Sequence, residues 1–390
     1  MKEAYIIAGL RSAVAKAGRG GFKNYRSDDL AVDVIKELFA RNPKIDPTLV
    51  DDVIVGCANP EGEQGLQIGR QISLRALGKS VPGQTVNRYC ASGLETISIA
   101  VGKVMAGMGD CYVAGGAESM SSIPMTGYKL APSYAVASTT PDYVVGMGIT
   151  AEEVAAKYGV SREDADAFSV RSHERAAAAI DAGKFADEIV PVEVKEVFVR
   201  DGKRQESSHT VSVDEGVRRG TNMEALGRLR TVFRSDGVVT AGNSSQTSDG
   251  VAFVIVMSGE MVKQLGLEPI ARLVACSVAG VEPLFMGIGP CAAIPKALKQ
   301  AGLKLSDIAL TELNEAFATQ SLAVIREVGL DPETTNVNGG AIALGHPLGC
   351  TGAKLSIQLL NELKRRDQRY GMVTACVGGG QGIAGIFERL

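Results

Sequence analysis

The chain follows one plan twice. "EAYIIAGLRSA" (3–13) and "IARLVACSVAG" (270–280) are apolar runs that end in small residues. Each precedes a stretch with helical apolar spacing, "DLAVDVIKELFARN" (29–42) and "CAAIPKALKQAG" (291–302). A strand-like run led by an acid comes next, "DDVIVGCANPEG" in the first half and "SDIALTELNEAF" in the second. Then "QTVNRYCASGLETISIAVGKVMAG" and "TNVNGGAIALGHPLGCTGAKLSIQLLNELKRR" both read as strand, Val-Asn, small-residue turn and helix. Each half ends with a buried strand running into glycines, "DCYVAGGAE" (110–118) and "MVTACVGGGQG" (372–382), and a closing strand, "VAFVIVMS" and "GIAGIFERL". A repeat of this length constrains the fold strongly, because both copies must solve the same packing problem.

The pattern predicts an α/β protein of two repeated β-α-β-α-β-β halves, with mixed, largely parallel sheets covered on both faces. The helices after the Val-Asn strands begin with Ala91, Ser92 and Gly93 in one copy and contain Thr351, Gly352 and Ala353 in the other. Such small residues place these two helices at the centre, packed against each other between the sheets. A stretch of different texture interrupts the first half. In it, "SREDADAFSVRSHERAAAAIDAGKF" predicts a helix capped by Ser161, with Asp164 completing a capping box and Gly183 ending it. "EIVPVEVKEVFVRDGKRQES" alternates like an exposed hairpin. The expected organisation is an N-terminal half from 1–118 and 250–268, a loop domain at 119–249, and a C-terminal half at 269–390.

The totals narrow the function classes. Net charge is −3 and there is no Trp among 390 residues, so neither a basic face nor stacking platforms support nucleic-acid binding. Seven cysteines are scattered without a C-x-x-C pair, which argues against a zinc site or a disulfide framework and for a reducing, cytoplasmic compartment. The apolar runs are too short to span a bilayer, the N-terminal one reads as a strand rather than a signal peptide, and "ERL" is not the peroxisomal tripeptide.

Four turns carry chemistry, and the repeat brings them to one end of the sheets, where open α/β folds bind ligands. Cys90 sits at a strand-to-helix turn, where a helix N-terminus favours the thiolate; the alternative is a buried structural cysteine. The second copy has His346 in the equivalent turn, among glycines and before a proline. It is a candidate base for Cys90, with a locally satisfied loop histidine as the alternative. Cys376 precedes "GGG", where it is either filler or a second thiol for acid–base work on carbon, with glycine N–H groups available to an oxyanion. "TELNEAF" adds Asn314 and Glu315. His173 and His209 are expected at the solvated surface, and Cys57, Cys111, Cys276 and Cys291 in the core; Cys350 is ambiguous. "AGNSSQTSDG" (241–250) is a polar turn, either plain loop or ligand contact. Arg218, Arg219, Arg228 and Arg230 form a solvated face or a phosphate site.

Together these segments resemble the thiolase family. "VNRYCASG", "GGAESMS", "AGNSSQTSDG", "NEAF", "GGAIALGHPLGCTGA" and "CVGGGQG" match its motifs in order over essentially the whole chain. The resemblance implies a five-layered α/β/α/β/α fold with an inserted loop domain, and a homodimer or homotetramer. It implies acyl-CoA and CoA as ligands, CoA being a substrate rather than a permanently bound cofactor, with no metal. A β-oxidation hydratase/dehydrogenase is the candidate partner. Cys90 would be the acylated nucleophile, His346 its base, Asn314 the holder of an oxyanion-stabilising water, and Cys376 the acid–base group on carbon. The N–H groups of Cys90 and Gly378 would form a second oxyanion hole. Arg218 and Ser245 fall where the family contacts CoA, and Met147, Met286 and Phe317 near the acyl or pantetheine region. The motifs look like degradative 3-ketoacyl-CoA thiolases. Biosynthetic acetoacetyl-CoA thiolases more often read "HPIGASGA" and carry a histidine where this chain has Gly146. A biosynthetic thiolase and a non-catalytic acyl-CoA-binding protein are the alternatives. Thr231 stands where the family commonly has proline, a change expected to touch a loop only.

Overall fold

A computed structural model describes residues 2–390. The first half runs β1 (Ala4–Ser12), α1 (Ser27–Ala40), β2 (Asp52–Gly56), α2 (Ile68–Ala76), β3 (Gly83–Val86), α3 (Ser92–Met105) and β4 (Cys111–Ser119). The insert follows with α4 (Met147–Tyr158), α5 (Arg162–Asp181) and a hairpin of β5 (Val192–Arg200) and β6 (Lys203–Val211). β7 (Ser248–Ser258) then closes the first half. The second half is β8 (Ala271–Gly280), α6 (Gly289–Ala301), β9 (Leu310–Leu313), α7 (Ala318–Val328), α8 (Leu348–Arg365), β10 (Tyr370–Val377) and β11 (Gln381–Arg389).

Local chemistry explains the elements. In α1, Leu30, Ala31, Val34, Ile35 and Leu38 form one buried stripe, and Asp28 and Asp29 face the positive end of the helix dipole. In α5, Ser161 Oγ accepts the Asp164 N–H at 3.0 Å, and Gly183 takes the left-handed φ of +67° that ends the helix. All eleven residues of β7 are buried, because both faces of this strand are covered.

Hydrogen bonds order the main strands β9-β10-β11-β8-β1-β7-β4-β2-β3. The repeat is visible in the pairing. β7 lies antiparallel between β1 and β4, and β4-β2-β3 run parallel. Equivalently, β11 lies antiparallel between β8 and β10, and β10-β9 run parallel. The counterpart of β3 is reduced to a parallel bridge between Thr311 and Thr335. The halves join where Ile6 pairs with Ala271.

Two expectations need correction. The sheet is mixed, but its long pairings are antiparallel rather than largely parallel. Between β10 and β11 only Gly378, Gly379 and Gly380 intervene, too few residues for the crossover that a parallel pair requires. Each half also carries, besides a short helical turn, a helix that was not expected, α2 of 9 residues or α7 of 11; α2 buries a short stripe of Ile68 and Ile72 and so gives little periodic signal.

Three apolar clusters define five layers. One packs α1 and α2 on the outer face of the first half-sheet. A second joins Leu94, Ile97 and Val104 of α3 to Leu359, Leu360 and Leu363 of α8, together with Ile54 and Val254 from one half-sheet and Val373 and Ile383 from the other. A third packs α6 and α7 outside the second half-sheet. The central helices meet through their glycines, as expected. A Cβ on Gly93 would lie 2.7 Å from Ala353 N, and one on Gly352 would lie 2.3 Å from Leu94 N. The hairpin β5–β6 is largely exposed, as its alternation predicts. Among the described residues, no helix is long and apolar enough to cross a membrane.

Candidate active site

β3 delivers the chain to a tight turn. Asn87 Oδ1 accepts the Tyr89 N–H at 2.8 Å, and Tyr89 adopts a left-handed φ of +45°. Ser92 Oγ accepts from Arg88 N and donates to Tyr89 O, which closes a 3-10 turn over Tyr89–Ala91 and starts α3. The turn buries Cys90, leaving it 8% exposed. The backbone N–H groups of Gly378 and of Cys90 itself favour the thiolate. Burial nonetheless outweighs these donors and pushes the thiol up to about 12. The helix N-terminus therefore does not ionise Cys90 at rest, contrary to the expectation drawn from its position.

The second-copy turn is built alike. His346 N donates to Gln246 O and Ser248 Oγ at 3.1 and 3.2 Å, fixing the backbone before α8. The imidazole is buried between two partners: Nδ1 lies 2.6 Å from Thr351 Oγ1, and Nε2 lies 3.3 Å from Asn314 Nδ2. Burial, with Lys354 as a nearby positive charge, pushes His346 down to about 3, so it is neutral at rest. Asn314 follows β9, is fully buried, and donates its backbone N–H to Thr374 O at 2.9 Å. Its Oδ1 has no hydrogen-bond partner among the described residues.

Cys376 is the penultimate residue of β10 and is fully buried. Burial, reinforced by the neighbouring Cys90 thiol, pushes its own thiol well above the usual range. It clusters with Met286 and Ala316, and Met147 and Phe317 pack against them. Left-handed Gly379 and Gly380 form the hairpin after it; a Cβ on Gly380 would lie 2.4 Å from Val281 O. Arg88 ties this hairpin to the Cys90 turn by donating to Gln381 Oε1 at 3.0 Å and Glu95 Oε1 at 3.1 Å. Cys90, Gly378, Cys376, Met147, Met286 and Phe317 thus form one neighbourhood, and Asn314 and His346 a hydrogen-bonded pair. Among the described residues no hydrogen bond joins Cys90 to His346.

The turn 241–250 belongs to this framework. Ser245 N donates to Ala316 O at 2.9 Å, and Gln246 Nε2 donates to Gly216 O and Ile342 O. Arg218 lies two residues beyond Gly216, exposed and without an ion-pair partner among the described residues. It lines a groove of about 290 Å³ with His173, Glu174, Ala177, Arg219, Gly220 and Thr221, apart from the two thiols.

Residues 4–260 match the thiolase N-terminal domain family and residues 267–389 the thiolase C-terminal domain family. This chain belongs to the thiolase family. It is 54% identical to a 3-ketoacyl-CoA thiolase of Bacillus subtilis, with all of both chains covered. It is 44% identical to a 3-oxoadipyl-CoA/3-oxo-5,6-dehydrosuberyl-CoA thiolase of Escherichia coli, again over all of both chains. The crystal structure of a Bacillus anthracis acetyl-CoA acetyltransferase superposes with a TM-score of 0.90 at 40% identity, covering 100% of this chain and 99% of that one.

In this thiolase one surface expectation fails. His173 is buried, 4% exposed, because α5 packs on both halves; its Nδ1 accepts the Arg218 N–H at 3.1 Å. His209 is exposed, as expected. Cys57, Cys111 and Cys350 are buried, and Cys276 and Cys291 half-buried. Sequence reasoning missed several groups around the site. A Cβ on Gly378 would meet the Tyr89 ring at 3.5 Å and one on Gly379 the Tyr143 ring at 2.8 Å, so both tyrosines flank the glycine hairpin. Phe233 stands edge-on to Phe317 at 6.3 Å. Glu118 accepts from Ala58 N and Gly349 N, at 2.7 and 2.9 Å, joining the first half to the start of α8. No periodicity marks the tyrosines or Phe233; Glu118 was visible in "GGAESMS" but without a partner.

Proposed function

We propose that this thiolase cleaves 3-ketoacyl-CoA with CoA, releasing acetyl-CoA and a shortened acyl-CoA, as in fatty-acid β-oxidation. The observation that carries the reading is the meeting of two buried thiols, Cys90 and Cys376, beside an apolar cluster of Met147, Met286 and Phe317. A neutral imidazole can take the Cys90 proton, which an imidazolium could not. The thiolate attacks the 3-keto carbon. The C2–C3 bond breaks, and its electron pair passes to C2 of the leaving acetyl-CoA enolate. His346 and Asn314 stabilise the enolate oxygen, and Cys376 donates a proton to C2. The Gly378 and Cys90 N–H groups stabilise the oxyanion at the other carbonyl. His346 passes the proton it took from Cys90 to the Cys376 thiolate and, neutral again, deprotonates the CoA thiol as CoA attacks the Cys90 thioester; that proton returns to the leaving Cys90 sulfur. CoA is thus a substrate, and no permanent cofactor is involved.

The acyl cluster contains only Cys, Ala, Met and Phe, which favours an aliphatic chain over one ending in a carboxylate. The 40% likeness to an acetyl-CoA acetyltransferase supports a second reading, condensation of two acetyl-CoA molecules. Turnover of C4 against C8 to C16 3-ketoacyl-CoA, followed by CoA-dependent loss of the 3-ketoacyl chromophore, separates the two. Strict preference for C4 overturns the degradative reading.

Self-association as a homodimer or homotetramer is also proposed. β3 is an edge strand with one side unpaired, and nearby Leu66 is 95% exposed. Sedimentation as a monomer at assay concentration would reject it. The seven free thiols support a cytoplasmic setting.

A further inference from the structure

We infer that Thr351 is a positioning residue that holds His346 in the Nδ1–H tautomer and so keeps Nε2 unprotonated, as a base for the reacting thiol must be; this rests on the reading of His346 as the base. Thr351 lies in the first turns of α8, five residues after His346, and is 1% exposed. Its hydroxyl donates to Pro347 O at 2.8 Å, the i−4 carbonyl that a helical threonine ordinarily finds. A hydroxyl has one proton. With that proton committed to Pro347 O, Oγ1 can serve His346 only as an acceptor, so the 2.6 Å contact requires a proton on Nδ1.

The other side of the ring agrees independently. Asn314 presents its amide nitrogen, a donor only, to Nε2 at 3.3 Å, which requires that Nε2 carry no proton. Both contacts therefore select one tautomer, and the ring is clamped between a helix and the end of β9. The opposite tautomer would set N–H against N–H at Asn314.

The substitution Thr351→Val keeps the shape and removes the hydroxyl. Pro347 O keeps two backbone donors, the N–H groups of Cys350 and Thr351, each at 3.0 Å, so the change leaves only Nδ1–H without a partner. Thr351→Ser retains the hydroxyl. The test uses the full chain with 15N-labelled histidine; only three histidines are present, which keeps assignment simple. The expected result is an Nδ1–H imidazole for His346 in wild type and in T351S. In T351V a substantial Nε2–H population should appear, with kcat lowered about 10- to 100-fold, the scale seen when partners that orient a histidine are removed. T351S should recover most of the rate.

An Nε2–H signal in the wild-type protein overturns the inference, whether or not T351V folds. So does a T351V protein that loses rate with its tautomer unchanged, since the hydroxyl would then be merely structural. Wild-type chain with the expected tautomer but no thiolytic turnover would instead reject the function proposed above.

Discussion

Asn314 Nδ2 faces His346 Nε2 at 3.3 Å while the other end of the same amide, Oδ1, is buried without a partner among the described residues. The amide thus spends its donor on the imidazole and keeps its acceptor free, inside an interior where unsatisfied polar atoms are costly.

Replacing that amide should separate two effects. Asn314→Ala removes a donor next to the reacting oxygen and should lower kcat about 10²–10³-fold, the range for losing one oxyanion-hole donor. Asn314→Asp places an acceptor against Nε2 instead, which favours the imidazolium. Its acid limb in kcat/KM against pH should move towards neutral pH, while that of Asn314→Ala stays put.

The glycines of the central helices should be asymmetric in their tolerance. Gly352→Ala drives a Cβ to 2.3 Å from Leu94 N and should cost about 1–3 kcal/mol by overpacking. Activity should fall with stability, because the Cys90 and His346 turns ride on these helices. Gly102, also in α3, is exposed with nothing within 4 Å of an added Cβ. Gly102→Ala should hold or raise stability by up to about 1 kcal/mol. Chemical denaturation of both variants checks the contrast.

Arg218 offers an exposed guanidinium, without an ion-pair partner among the described residues, at a groove apart from the two thiols. Arg218→Ala should raise KM for CoA roughly tenfold, the worth of one charge-assisted hydrogen bond, with kcat little changed. An unchanged KM would remove it from the CoA site.

Gly146 precedes Met147, and a Cβ there would meet nothing within 4 Å. Gly146→His should fill this space next to the acyl cluster. We expect kcat/KM for C8 and longer substrates to drop relative to C4, measured with the same chain-length panel.

Stability should fall on mild acidification. Burial pushes His173 down to about 4 and His346 to about 3, against about 6.5 in an unfolded chain. Between those values the unfolded chain binds more protons, so stability is full above about pH 6.5 and is lost as pH falls towards 4 and then 3. His173→Gln removes one of the two contributions. Its melting temperature should decline less between pH 7 and pH 4 than that of the wild type.

Legibility was uneven for physical reasons. The repeat, the closing strands and the close-packed central helices could be read from residues 84–97 and 335–366, because apolar period and small-residue placement are local properties. Cys90, His346 and Cys376 stood out as candidates for a local reason too: each lies in or beside a glycine-containing turn, with a buried filler role left open for the two cysteines. α2 and the antiparallel majority of the sheet were not, since a nine-residue helix carries little period and strand direction depends on the route of the connections. His173 showed only a charged helix of its own, and the half that buries it is distant in sequence.

The sequence by itself determined that one plan runs twice and that its central helices pack closely, and it marked the turns that carry the candidate groups. Only the tertiary structure decided their protonation and partners. Burial holds the Cys90 thiol protonated against the pull of two N–H donors and holds His346 neutral. Thr351 and Asn314 grip opposite edges of that ring from a helix and the end of a strand. Desolvation and hydrogen-bond direction depend on what surrounds an atom on every side, and that is a property of the packed chain.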